Sequence, residues 1–237
     1  MFIVVEMYKR PLILVLLETA LELVPPSIAN HPSVVKTAKR RGKSPSEILL
    51  DVSLHYHAMK NLENRHKRGR PDIAHVSLLE ITESPLNKAG YLKVALHTIE
   101  GHAIFIDPST RIPRNYSRFV GLMEQLFKEG KVPPGGEKPL MYIKTTTLTR
   151  LLEELGARGL VLLRETCERK SVSDIVKTAI AEKLAIGIGG FPHGDFEEST
   201  IKHADQCYSV YDKPLATFIV VSRVISSAER LYGILEI

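Results

Sequence analysis

"LMYIKTTTLTRLLEELGARGLVLLRETCERKSVSDIVKTAIAEKLAIGIGG", residues Leu140–Gly190, is the stretch that decides the fold class. Three short apolar runs, "LMYI", "GLVLLRE" and "LAIGIGG", have the length and composition of strands. Between them, "TLTRLLEELG" and "SVSDIVKTAIAEK" space their apolar residues as helices do. Strand and helix in regular alternation argue for an α/β protein: a mainly parallel sheet with helices on its faces. A long polar loop follows, and then a final helix, "ATFIVVSRVISSAERLYGIL".

Working outward, "PLILVLL" (Pro11–Leu17) reads as a strand, and "ETALELV" after it reads as helical until Pro25 and Pro26 stop it. "DIAHVSLLEI" (Asp72–Ile81) alternates and reads as a strand, as does "AIFIDP" (Ala103–Pro108). In "NYSRFVGLMEQLFKEG", Phe119, Leu122, Met123, Leu126 and Phe127 recur at helical spacing, and Gly130 terminates the run. "SPSEILLDVSLHYHAMKNLENRH" has helical spacing, imperfectly kept, with Ser46 as a cap candidate. Residues 29–73 interrupt the alternation with basic and helical material. They read as an insertion within one domain spanning residues 1–237.

The chain has 237 residues, 44% of them hydrophobic, enough for one substantial core. No apolar run reaches the length of a membrane span. The apolar N-terminus, Met1–Val24, is interrupted by Glu6, Lys9, Arg10, Glu18 and Glu22 and lacks a signal-peptide layout, so a soluble, cytoplasmic protein without membrane contact is expected. Two cysteines, Cys167 and Cys207, make neither a disulfide framework nor a zinc knuckle, which fits a reducing compartment. Lys plus Arg number 32 against 27 Asp plus Glu, a net charge of +5. The excess concentrates in "KTAKRRGK" (Lys36–Lys43), "RHKRGR" (Arg65–Arg70) and "RIPRNYSR" (Arg111–Arg118). Such local density favours a polyanionic partner, with solvated loops as the plainer alternative.

In open parallel sheets, ligands bind beyond the carboxyl ends of the strands. Three ends stand out: Leu163–Glu165; the glycine-rich "LAIGIGGFPHGDFEES"; and "YSVYDKPLATFIVVSR", where Pro214 leads into a helix. Glycines let backbone approach a ligand closely. The third glycine of a dinucleotide fingerprint counted from Gly187 is Pro192, and no phosphate loop ending in Gly-Lys-Ser/Thr occurs. The glycine loop therefore reads as a backbone cradle for a ligand, or else as a tight surface turn. Metal ligation is disfavoured: His193, Asp195 and His203 lack ligand spacing, and His55 and His57 are two apart. No Gly-x-Ser-x-Gly elbow points to a hydrolase.

"RRGKSPSEILLDVSLHYHAM", "RGRPDIAHVSLLEITESPLN", "IFIDPSTRIPRNYSRFVGLMEQL", "GGFPHGDF" and "PLATFIVVSRV" run in order along nearly the whole chain. Together they resemble the nucleolar-essential-protein (Emg/Nep) family of SPOUT-class methyltransferases, in its archaeal branch. That resemblance implies a deep trefoil knot in the C-terminal half and a homodimer. It implies methylation, with S-adenosyl-L-methionine, of N1 of a pseudouridine in small-subunit ribosomal RNA during ribosome biogenesis, alongside other assembly proteins. Carried over by motif, the cofactor contacts fall at Leu163, Gly189, Gly194, Asp195 and Phe196, and along Val210, Tyr211, Asp212, Lys213, Pro214 and Leu215. RNA contacts fall at Arg70, Arg111, Arg114 and Arg118. Arg114 and Arg118 are four apart at a helix start and so share a face.

The same resemblance makes Asp72 and Arg70 the candidate catalytic pair. Pseudouridine is joined to its sugar through carbon, so its N1 carries a proton that must leave when a methyl group arrives. Asp72 either orients or accepts that proton, with Arg70 stabilising charge on the ring carbonyls, or it pairs with Arg70 and braces the loop. The base must be flipped or single-stranded, with Tyr56, Tyr116 or Phe119 either stacking on it or serving as core or rim. The competing function is a non-catalytic RNA-binding assembly factor. The final helix, Ala216–Ile237, is the candidate dimer face.

Overall fold

The computed structural model describes residues 10–235; Met1–Lys9 of the N-terminal apolar stretch, and Glu236 and Ile237 of the final helix, lie outside them. Among the described residues no helix is long and apolar enough to cross a membrane. Eight strands form one sheet in the order β4-β5-β3-β2-β1-β7-β6-β8. They are β1 (Leu12–Thr19), β2 (Leu92–Thr98), β3 (His102–Ile106), β4 (Lys131–Val132), β5 (Met141–Thr145), β6 (Gly159–Leu163), β7 (Leu184–Gly189) and β8 (Gln206–Tyr208). From β2 through β1, β7 and β6 to β8, neighbours run parallel. Three strands continue the sheet antiparallel on the other side.

β1 is the central strand, and its unbroken apolar run follows from burial on both faces. Leu12, Leu14 and Leu16 join one core cluster while Ile13, Val15 and Leu17 join the other. The first cluster is covered by α3 (Pro71–Glu83), the short α4 (Pro85–Lys88), α5 (Tyr116–Glu129), α7 (Val172–Glu182) and α9 (Thr217–Leu231); the second lies under α6 (Leu148–Leu155) and α8 (Glu198–Lys202).

Several readings are corrected. "DIAHVSLLEI" is helix, not strand. Pro71 occupies its first turn with Asp72 beside it, and Ala74, His75, Ser77, Leu78, Ile81 and Thr82 form a buried helical stripe. A proline where the missing N–H costs nothing, followed by an acid at the positive end of the helix dipole, is a start signal stronger than the alternation. "ETALELV" is not helical: β1 continues to Thr19, Glu18 takes a positive φ of 48°, and Ala20 N–H donates to Gly190 O at 3.0 Å. "YLKVALHT", not assigned from the sequence, supplies β2. The strand "LMYI" pairs antiparallel with β3 and so stands outside the parallel set.

The segment between β1 and α3 breaks into α1 (Pro32–Arg41), the four-residue α2 (Val52–His55) and four 3₁₀ turns, rather than one long helix capped by Ser46. Its backbone donors are spent on tertiary partners: Leu49 N–H on the Glu124 carboxylate (3.0 Å), Leu50 N–H on Glu22 O (3.0 Å) and Val52 N–H on Gly69 O (2.9 Å). Ser44, not Ser46, caps the 3₁₀ turn Pro45–Glu47, in a box with Glu47. The segment carries its own small core of Val24, Val34, Ala38, Ile48, Leu50, Ala58 and Met59. Glu124 on α5, buried, also accepts from Arg41 (2.8 Å) and Lys43 (2.6 Å), so part of the "KTAKRRGK" charge is internal.

The two cysteines are joined, not free thiols: Cys167, in the loop after β6, bonds Cys207 on β8 across a 5.8 Å Cα separation. They are 40 residues apart in sequence, and only the pairing of β8 with β6 brings them together.

Candidate active site

The carboxyl ends of β6 and β7 and the turn before α9 meet in one cleft. Leu163, Gly189, Gly194, Asp195, Phe196, Val210, Tyr211, Lys213, Pro214 and Leu215 line it; Asp212 is exposed and lies outside the lining. Thr217, at the start of α9, donates through Oγ1 to Gly189 O at 2.7 Å, fixing the helix to the end of β7.

The crowded glycines divide by role. A Cβ at Gly187 would stand 2.5 Å from Leu17, and one at Gly190 would stand 2.9 Å from Thr19 Cα. Both glycines therefore serve close packing within the sheet end. Gly194 has φ +94°, and a Cβ there would meet His66 Nε2 at 3.0 Å. Its conformation suits glycine and its neighbour leaves no room for a side chain.

Asp195 is gripped from across the cleft. Arg164 Nε donates to its two oxygens at 2.8 and 3.0 Å, and Nη2 donates as well. This side-chain bond, with the Phe196 N–H, holds the Asp195 carboxyl below its ordinary value against desolvation. The same bond raises Arg164. Arg164 lies within the strand end Leu163–Glu165 marked from the sequence, but its pairing with Asp195 shows only in the fold, which brings it to face the glycine loop.

Beneath that loop lies a buried lysine that the sequence reading counted as surface charge. Lys67 is 1% exposed. It donates to the Glu18 carboxylate and to Asp195 O (2.7 Å), reaches Glu197 at 3.3 Å, and stands 4.3 Å over the Phe191 ring. Glu18 closes the bracket by accepting from Glu197 N–H at 2.8 Å. Phe191 and Phe196, edge to face at 5.2 Å, both line the cleft.

A second cleft adjoins the first. It is lined by Val52, Tyr56, Met59, Arg65, His66, Arg68 and Arg70, and shares Pro192 and His193 with the first. Arg70 is bound bidentately by Asp72, Nε to Oδ1 and Nη2 to Oδ2, both at 2.8 Å. That bond raises the guanidinium pKa. The Nη1 protons of Arg70 are not used in this pairing. Tyr56 is exposed; Phe119 is fully buried, and Tyr116 donates to Asp51 at 2.6 Å under desolvation that pushes its pKa up, so neither is a free stacking platform.

Arg111, Arg114 and Arg118 are all exposed, and none forms an ion pair among the described residues. Their segment is pinned behind them. His75 of α3 bonds Pro113 O at 2.7 Å and stacks on Phe119 at 4.5 Å.

Residues 14–229 match the family model described as EMG1/NEP1 methyltransferase. A Staphylothermus marinus protein named ribosomal RNA small subunit methyltransferase Nep1 is 58% identical over 96% of this chain and 99% of its own length. A Saccharolobus solfataricus protein of the same name is 46% identical over 93% of this chain and 97% of its own. The crystal structure of Archaeoglobus fulgidus Nep1 bound to S-adenosylhomocysteine matches with a TM-score of 0.83 and 40% identity, covering 94% of this chain and 99% of that one. With a family model spanning most of its length and relatives this similar, the chain belongs to the EMG1/NEP1 methyltransferase family.

Proposed function

We propose that this protein methylates N1 of a pseudouridine in small-subunit ribosomal RNA, with S-adenosylmethionine as donor, during assembly of that subunit. The observation that carries the reading is the wall of Pro192 and His193 shared by two clefts, one cradled by the glycine loop and the other bearing Arg70. Relatives named as small-subunit ribosomal RNA methyltransferases, and a neighbour holding S-adenosylhomocysteine, support it.

The first cleft fits the donor. Phe191, Phe196, Leu163 and Val210 offer apolar walls for a heterocycle, and Tyr211 and Leu215 leave apolar surface at its rim that a ligand would cover. Bound there, S-adenosylmethionine supplies an electrophilic methyl group on a sulfonium. The rest of the work falls to this chain. Arg111, Arg114 and Arg118 hold phosphates from one exposed face. Tyr56 offers an open ring to a base extruded into the second cleft. Asp72 fixes Arg70 so that its remaining N–H groups meet negative charge growing on the ring carbonyls as N1 gives up its proton to water. In this arrangement Asp72 acts first by positioning Arg70, since both its oxygens are already engaged. The knot and a homodimer through α9 are part of the proposal. Phe218, exposed on that helix, is surface a second copy would bury.

The test is incubation with labelled S-adenosylmethionine and two matched hairpins, one with uridine and one with pseudouridine. Label on the pseudouridine hairpin alone is expected; label on both, or on neither, contradicts the assignment. Gly194→Val should abolish S-adenosylhomocysteine binding while the hairpin still binds.

A further inference from the structure

Lys67 is a long side chain with almost no solvent access, placed in the sequence among residues that face RNA in the proposed function. A buried ammonium is tolerated only when its charge and donors are met. Here they are met from two directions. Glu18, at the left-handed end of β1, and the Asp195 carbonyl and Glu197 carboxylate, on the donor-cleft loop, all converge on it. Its methylene stem packs against the position a Gly194 Cβ would take, at 3.7 Å. Directly after it, Arg68 is locked to buried Glu22 and Arg70 N–H donates to Ala20 O at 3.1 Å. Residues 65–70 and the loop 190–197 are therefore one bracket around a single cation.

We propose that Lys67 is a positioning residue that couples the two clefts, so that RNA bound at the Arg70 side tightens the donor site and the donor tightens the RNA site. This rests on the functional reading above and extends it to the order within the site. Ordering one half of a shared bracket removes part of the ordering cost of the other, which yields positive cooperativity without new contacts. Linkage makes the effect reciprocal. The link is carried by groups that touch neither the methyl group nor the base, so Lys67 acts through Phe191 and Asp195 on the donor side and through the backbone of residues 65–70 on the other.

The experiment is a thermodynamic box on the full chain. S-adenosylhomocysteine affinity is measured by calorimetry with and without a saturating, unmodified pseudouridine hairpin, and hairpin affinity with and without S-adenosylhomocysteine. Wild type should show the same enhancement on both arms, at least about 5-fold, the lower end of ordinary coupling. In Lys67→Met both ligands should still bind, more weakly, and the enhancement should fall to about one. Glu197→Gln, whose side chain is half-exposed and removable without a buried cost, should lower the enhancement in the same direction even if Lys67→Met fails to fold. Lys67→Arg should restore part of it, which a merely stabilising role would not require. Independent binding in wild type, or undiminished enhancement in both Lys67→Met and Glu197→Gln, overturns the coupling while leaving the methyltransferase reading intact. Failure of wild type to bind S-adenosylhomocysteine at all overturns both.

Discussion

Within Arg65–Arg70, Lys67 and Arg68 are spent on buried carboxylates, whereas in Arg111–Arg118 all three arginines are exposed and unpaired among the described residues. The two segments read alike: short, basic and nearly free of acids. What separates them is the backbone that each meets. Residues 65–70 pass under the ends of β1 and β7, where Glu18 and Glu22 are sealed in and a cation is required. Residues 111–118 run outward to the start of α5, held from behind by His75 and Asp51. One segment supplies internal structure to the donor cleft, and the other supplies an external grip for a polyanion. Basic density therefore cannot be converted to RNA contacts by counting.

The difference is sharpest in stability. Lys67→Ala strands the Glu18 carboxylate, and losing one partner of a buried pair costs about 3–5 kcal/mol, read as a fall in denaturation midpoint. A loss below about 1 kcal/mol would place Lys67 at the surface in solution. Next in size is Asp72→Asn. The Arg70–Asp72 pair is partly exposed, so stability should change by less than about 1 kcal/mol. Methyl transfer should nonetheless fall on the order of 10²-fold, as when a preorganised charge is loosened. Equal activity would reduce the pair to a loop brace.

Arg111→Ala and Arg114→Ala should leave stability within about 0.5 kcal/mol. Hairpin affinity should weaken severalfold, and its logarithmic salt slope should shrink by about 1. An unchanged slope would return these arginines to solvent.

The smallest effect concerns pH. Burial raises the Glu22 carboxyl above its ordinary value, more than Arg68 lowers it. A raised carboxyl stabilises the fold below its ordinary value and loses that contribution as pH rises through the raised one. Glu22 should therefore add stability as pH falls from neutral toward the ordinary carboxylate range. Glu22→Gln should flatten that part of the curve. Asp195 has the opposite sign: its lowered pKa keeps the Arg164 clasp closed at neutral pH and releases it only as pH falls below the ordinary carboxylate range.

The strands β1, β6 and β7 and the helices α5, α6, α7 and α9 were legible because each is long enough for its period to show. α3 was misread because His75 and Ser77 are buried polar residues on its inner stripe, which made the apolar pattern look two-fold. The segment before it was misread because its backbone partners are Glu124, Glu22 and Gly69, which no local pattern reveals. The donor-cleft positions could be placed by motif, while their supports could not. Lys67 finds Glu18 at a separation of 49 residues and Asp195 at 128. Arg164 finds Asp195 at 31. The disulfide escaped for the same reason: nothing near Cys167 or Cys207 announces that β8 will lie beside β6.

Amide hydrogen exchange on the full chain, before and after adding S-adenosylhomocysteine, tests the division between the two basic segments most directly. Protection should rise together in residues 190–197 and 65–70 and stay unchanged in 111–118. Protection of 190–197 with 65–70 exchanging as before, or a response in 111–118 equal to that in 65–70, would contradict it.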